Sequence, residues 1–176
     1  MHTARQLHAS ALTIKTVAMP KKAVVEFEPE FVKKLTHIFE SDIVFNRTLG
    51  LKISSVTPTV VCGRIDMRPQ LVGHPAYNRL HGGVISATLD AMGGIAVLAA
   101  VGARHMDESV DARLHRFLKL GTIDLRVDYL RPGIGEYFDV RAEVIRLGSR
   151  VASTRMEFAS PDGTLLSTGC GAYIVS

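Results

Sequence analysis

Several residue types are scarce in this sequence, and each absence narrows the class of protein. The 176 residues contain no tryptophan and two cysteines, Cys62 and Cys170. Neither cysteine belongs to a CxxC motif, so we expect two reduced core thiols in a cytoplasmic protein rather than a disulfide framework. The 21 basic and 17 acidic residues are spread along the chain. No nucleic-acid-binding cluster is present, and the small positive surplus suits an anionic small ligand at least as well.

Motifs for metals, secretion and membrane insertion are also missing. The seven histidines show no HxxxH or HxH spacing, so no metal site is expected. The N-terminus has no apolar segment followed by a small-residue cleavage site, as a signal peptide would have. The apolar run from Val84 to Val101 approaches membrane-spanning length, but it contains Asp90 and several glycines and alanines. A buried helix of a soluble cytoplasmic protein is therefore expected, without membrane interaction.

Hydrophobic periodicity predicts an α+β fold. Residues 1–22 show no clean period and are expected to form a poorly ordered tail before a single domain, 23–176. Helical spacing begins at Pro29, a short turn is expected at 46–49, and two strands are predicted at about 51–57 and 60–67. Residues 68–80 are expected to form a polar loop, and a long helix is predicted over about 83–101. A shorter amphipathic segment at about 107–120 is expected as a helical insertion. Four further strands are then predicted, at about 122–129, 136–147, 150–159 and 164–175. This order predicts an antiparallel sheet of five or six strands wrapped around one long buried helix.

The most informative local pattern is His81-Gly82-Gly83 at the start of the long helix, followed by Asp90 within it. Unpaired N–H groups at a helix start, together with the helix dipole, can stabilise a developing negative charge. A carboxylate in an apolar segment is costly unless it is hydrogen-bonded, paired or chemically useful. Oxyanion donors beside a carboxylate are the groups needed to hydrolyse an activated acyl group.

The His-Gly-Gly motif, the Asp nine residues after the histidine and the element order together resemble the hotdog-fold acyl-CoA thioesterases, and most closely the phenylacetate-degradation (PaaI-type) branch. The later segment Asp128–Gly133 is similar to the end of a strand in that family. The resemblance covers about residues 45–174. It implies an enzyme that hydrolyses an acyl-CoA to the free acid and coenzyme A, without a cofactor. It also implies a homodimer with shared active sites, or a tetramer built from two such dimers.

The resemblance also implies roles for individual residues. Gly82 N–H, with Gly83 as a second donor, polarises the thioester carbonyl, while Asp90 of the neighbouring subunit acts as general base or as nucleophile. His81 shapes the loop and Thr122 has an accessory role. A further polar contact falls to Asn78 or His74, although Asn78 lies closer to the histidine than the family's usual asparagine. Coenzyme A is expected to contact two basic turns, which contain Arg131, Pro132, Ser149 and Arg150.

Alternatives remain open at this point. A hotdog dehydratase or hydratase fits the motif poorly, because such enzymes usually use a catalytic histidine with an acid in another arrangement. A non-catalytic acyl-CoA-binding or sensing module is the alternative from a different class. Gly93-Gly94 is expected to be a close-packing site. The 107–120 insertion is most simply a helix packed on the core, and a lid over an acyl tunnel is its alternative function.

Overall fold

The computed structural model describes residues 26–176, so the predicted tail at 1–22 lies outside the described residues. Three helical segments come first: α1 (Pro29–His37), a π-helical turn (Ile38–Asp42) and α2 (Val44–Leu49). Strands β1 (Lys52–Val56) and β2 (Val60–Asp66) follow, and then a small hairpin of β3 (Val72–His74) and β4 (Arg79–Leu80). The second half comprises α3 (Gly82–Arg104), α4 (Val110–His115), a 3₁₀ turn (Arg116–Lys119), β5 (Gly121–Tyr129), β6 (Tyr137–Leu147), β7 (Val151–Ala159) and β8 (Leu165–Ile174).

Six of the strands form one antiparallel sheet in the order β1-β2-β6-β7-β8-β5. The β7–β8 hairpin turns at Gly163, whose positive φ of 82° is readily adopted by glycine. Strands β1 and β5 are the two edges of the sheet. The predicted antiparallel sheet around one long helix is confirmed.

Helix α3 lies against the inner face of this sheet and contacts β6 and β7 most extensively. It is longer than predicted, because the helix continues through three residues beyond Val101 to Arg104. By length and composition it is the one helix of the described residues that could cross a membrane, but two thirds (67%) of its apolar window is buried by the protein. The apolar character of α3 is therefore accounted for by its place in the core.

The helices that precede β1 pack beside α3 and are held to the insertion by Arg113. This side chain is fully buried on α4, donates two hydrogen bonds of 2.7 and 2.8 Å to the carboxylate of Glu28, and lies 4.7 Å from the Phe31 ring centroid. The predicted 107–120 helix is shorter than expected, because its second half is the 3₁₀ turn after α4.

Two expectations about local structure were wrong. The polar loop predicted over residues 68–80 contains the β3–β4 hairpin, which packs so tightly on the helix start that a Cβ atom at Gly73 would lie 2.6 Å from His81 Cα. The cysteines lie in strands, as predicted, but not in the core. Cys62 is half-buried and Cys170 is exposed.

Candidate active site

The first turn of α3 has one backbone N–H that is available to a negatively charged group. His81 is the N-cap, and its Nδ1 accepts the Gly83 N–H at 2.9 Å. Val84 and Ile85 donate to the His81 carbonyl, whereas no hydrogen bond within the described residues uses the Gly82 N–H. The His81 cap therefore occupies the Gly83 N–H, which the sequence suggested as a second oxyanion donor. The Gly82 N–H remains available for this role.

Asp90 lies two turns into the same helix and is only partly buried. Its Oδ1 accepts the Thr122 hydroxyl at 2.8 Å, and Oδ1 and the Asp90 carbonyl oxygen lie 3.3 and 3.1 Å from the hydroxyl of Tyr173. Burial, followed by the proximity of Asp90, raises the pKa of Tyr173 well above that of an ordinary tyrosine. The phenol is therefore protonated at neutral pH and acts as a hydrogen-bond donor.

A β-bulge turns Thr122 toward this carboxylate. Along β5, Thr122 is paired with Tyr173 of β8 and Asp124 with Ala172, so Ile123 is an extra residue without a partner. Strict alternation, as the sequence suggested, would place Thr122 on the outer face together with Asp124. The bulge instead places it on the helix-facing side, opposite Tyr173.

Asp90 borders a cavity of about 270 Å³ between α3, the first helices and the segment that follows α4. The apolar part of the lining includes Phe39, Ile43, Phe45, Ala91, Phe117 and Leu120. Asn46 also lines it, is 5% exposed, and makes no side-chain hydrogen bond within the described residues. A carboxylate, an amide and an apolar wall therefore meet in one space.

A larger concavity of about 510 Å³ lies on the outer face of the sheet. Two of its charged lining residues, Asp139 and Arg141, are already paired with Arg64 and Glu143. Across residues 26–176, no group of three or more His, Cys, Asp or Glu side chains is arranged to hold a metal ion. The chemistry is therefore best sought around Asp90.

The polar residues predicted upstream of the helix are not brought to Asp90 within one subunit. Asn78 is exposed, has a positive φ of 45°, and ends the short 3₁₀ turn before β4. His74 lies in β3 with its ring 4.8 Å from the Tyr77 ring, and its buried Nδ1 has no hydrogen-bond partner among the residues that the structure describes. A contact between either residue and the substrate stays a prediction.

The two basic turns predicted to contact coenzyme A lie near opposite ends of α3. Arg131 and Pro132 are exposed near the helix start, and Arg131 donates to the Leu165 carbonyl at 2.9 Å. Ser149 and Arg150 are exposed at the other end, where Arg104 donates to the carbonyls of Leu147 and Gly148. A helix of 23 residues is about 33 Å long, so the two turns of one subunit cannot hold the same phosphate.

Sequence reasoning missed Tyr173 and Asn46. Tyr173 follows a regular apolar alternation in β8, and nothing in its spacing connects it to a residue 83 positions away. Asn46 lay in a segment interpreted as a turn, and Val44–Leu49 is instead a helix that orients this side chain toward the cavity. Both residues are identified by the burial of a polar side chain, which can be seen only in the structure.

The fold and this arrangement define a thioesterase class, and comparison with known proteins agrees. A family profile described as "Thioesterase superfamily" matches residues 77–167, which include the helix start, Asp90 and Thr122. A protein named medium/long-chain acyl-CoA thioesterase YigI from Salmonella typhimurium is 35% identical, over 82% of this chain and 93% of its own length. YigI of Escherichia coli K12 is 34% identical with the same coverage.

A solved structure gives the same result. A protein from Shewanella oneidensis, described as related to the thioesterase superfamily, superimposes with a TM-score of 0.79 at 39% identity, covering 84% of this chain and 96% of that one. The chain therefore belongs to the thioesterase superfamily, the hotdog-fold thioester hydrolases. Its assignment to the PaaI-type branch stays a prediction.

Proposed function

We propose that this chain hydrolyses medium- and long-chain acyl-CoA thioesters to the free acid and coenzyme A. The observation that carries the proposal is the carboxylate of Asp90, anchored by two hydroxyl groups at the border of an apolar cavity. The acyl class is supported by the relatives named medium/long-chain acyl-CoA thioesterase, which align over 82% of the chain. The aromatic and aliphatic lining of the cavity suits a hydrocarbon chain.

The two catalytic groups must come from different subunits. Gly82 and Asp90 are eight residues apart on α3, which separates them by about 12 Å along the helix axis. An oxyanion donor and a base that act on one carbonyl each need to lie about 3 Å from the reacting atoms. One protomer therefore cannot assemble the site, and a two-fold partner can supply the missing half.

Strand β5 is the edge best suited to join the subunits. Within residues 26–176 its outer edge has no strand partner, and Ile123 and Tyr129 on it are 58% and 54% exposed. One end of β5 contacts Asp90 through Thr122, and the other end contacts Gly82 through a hydrogen bond of 3.0 Å from the Tyr129 hydroxyl to the Gly82 carbonyl. Antiparallel pairing with a second copy would bring opposite ends together, and with them Asp90 and Gly82 of the partner subunit. A tetramer of two such dimers stays a further prediction.

The chemistry then has two routes, which these residues leave open. In the first, Asp90 takes a proton from water, the resulting hydroxide bonds to the carbonyl carbon, and the C–S bond breaks to release coenzyme A, whose thiolate takes up a proton. In the second, an Asp90 oxygen attacks the carbonyl carbon, the C–S bond breaks, and the released coenzyme A thiolate takes up a proton from solvent; water then hydrolyses the mixed anhydride to the free acid and restores the Asp90 carboxylate. In both, the Gly82 N–H stabilises the oxyanion, and Asn46 is available to bind the carbonyl or the water.

Thiol release from short, medium, long and aromatic acyl-CoAs tests the proposal, with wild type and Asp90→Asn measured together. We expect turnover of medium and long chains that falls by at least about 100-fold in the variant while the dimer persists. Saturable binding without thiol release would refute the enzyme and support an acyl-CoA-binding or sensing module. Equal turnover in both proteins would keep the enzyme but exclude Asp90 from its centre. A cytoplasmic location, the absence of a cofactor and the coenzyme A contacts stay predictions.

A further inference from the structure

Tyr173 contacts Asp90 from the sheet and lines the same cavity as this carboxylate. It belongs to β8 and is 1% exposed. Its hydroxyl lies within hydrogen-bond distance of both the backbone carbonyl and the side-chain Oδ1 of Asp90. The phenol therefore links the last strand of the sheet to the catalytic turn of α3.

Two glycines make room for this phenol. A Cβ atom at Gly93, one turn after Asp90, would collide with the Tyr173 hydroxyl. A Cβ atom at Gly171 would lie 2.8 Å from the Tyr173 ring and 3.0 Å from its hydroxyl. The close packing expected at Gly93 from the sequence is thus with a tyrosine of the sheet, and the tyrosine is the one that reaches Asp90.

The donors around Asp90 are arranged asymmetrically. Thr122 and Tyr173 approach the carboxylate from β5 and β8, and both reach Oδ1. No hydrogen bond within the described residues reaches Oδ2. One carboxylate oxygen is therefore anchored, and the other is left for substrate or water.

We infer that Tyr173 is a positioning residue that holds Asp90 by Oδ1 so that Oδ2 faces the reacting carbonyl. The inference rests on the proposed function. It gives the two carboxylate oxygens of Asp90 different functions, since Oδ1 anchors the side chain and Oδ2 acts on the substrate or water. A carboxylate side chain on a helix samples several rotamers, and two donors from neighbouring strands restrict it to one. Thr122 donates from the edge strand, whereas the single hydroxyl hydrogen of Tyr173 is shared between Oδ1 and the Asp90 carbonyl oxygen, and so it ties the side chain to the helix backbone.

The test compares Tyr173→Phe with wild type in thiol release from a medium-chain acyl-CoA. Phenylalanine keeps the ring in its slot and removes the hydroxyl. We expect kcat to fall about 10-fold to 100-fold, because a hydrogen bond to a charged group is lost. KM should change less than about twofold, since the ring that lines the cavity is kept and only the hydroxyl is removed. Tyr137→Phe is the matched control and should keep the wild-type kcat, because Tyr137 packs under Arg64 on the outer face.

A second comparison separates positioning from a structural role. In an Asp90→Asn background the same Tyr173→Phe change should alter the residual rate by less than about twofold, because no carboxylate remains to be oriented. An equal loss in both backgrounds, or a wild-type kcat in Tyr173→Phe, would overturn the inference and leave the proposed function standing. Absence of thiol release by the wild type across all acyl-CoAs would instead overturn the proposed function, and this inference with it.

Discussion

The proposal that each active site is shared between two subunits makes a prediction that two inactive variants can test. Gly82→Pro removes the amide hydrogen that we assign to the oxyanion, at the first helical position, where proline is well tolerated. The backbone of His81, with φ −69° and ψ 134°, already has the extended conformation required before a proline. Gly82→Ala is the matched control, because it keeps the N–H and its Cβ would lie 3.4 Å from the Tyr129 ring, an ordinary contact.

The expected losses follow from the chemistry assigned to each group. Removal of one oxyanion donor costs about 10²–10³-fold in rate, and removal of the carboxylate in Asp90→Asn should cost at least as much. Each homodimer of a single variant is therefore nearly inactive. If Gly82 and Asp90 of each site come from different chains, as we propose, a heterodimer of the two variants contains one site with both changes and one site with neither.

Co-expression with two different affinity tags and sequential purification gives the heterodimer. We expect it to release thiol at about half the wild-type rate per dimer, from its single intact site. The Asp90→Asn protein carrying both tags controls for carry-over of activity. A heterodimer as inactive as either parent would show that each site is built within one chain, against the 12 Å argument. Near-wild-type activity of Gly82→Pro by itself would refute the oxyanion role of Gly82.

Two further changes test the segment beside the cavity. Phe117→Ala should lengthen the acyl pocket and shift kcat/KM toward longer chains by about tenfold relative to medium chains, as an acyl-CoA length series can measure, whereas Leu118→Ala, at an exposed position, should not. Glu28→Gln should lower Tm, because it leaves the buried Arg113 charge without its carboxylate. The hydrogen bonds from Arg113 hold the pKa of Glu28 below its ordinary value. The Tm difference between the two proteins should therefore be present at neutral pH and be lost as the pH falls through the lowered pKa of Glu28. A Tm difference that does not change with pH would contradict the ion-pair explanation.

The sequence was sufficient for the fold and for the location of the helix-borne groups. Helical and alternating periods depend on burial of a face, and α3 and the sheet strands follow them closely. His81, Gly82 and Asp90 occupy one continuous segment, so local spacing alone relates them. The family match over residues 77–167 confirms the assignment that this segment suggested.

The residues around Asp90 could not be identified in the same way, because their proximity depends on packing between distant segments. Tyr173 occupies an apolar position in the alternation of β8, but its hydroxyl contacts Asp90. The need for glycine at position 93 becomes clear only from its contact with the Tyr173 hydroxyl. The bulge at Ile123 leaves no mark in the alternation of β5, yet it decides which face carries Thr122. Cys62 and Cys170 were assigned to the core by residue type, and strand registry places them elsewhere.

The geometry also explains why the site and the sheet edge depend on each other. A single helix carries both groups that we propose to be catalytic, and it separates them by about 12 Å along its axis, too far for them to act together in one chain. Strand β5 contacts each group at a different end, so pairing of this edge with its copy would cover the exposed strand and complete two sites in the same step. In this proposal the exposed edge is not left unprotected in the assembled enzyme, and hydrolysis becomes a property of the dimer.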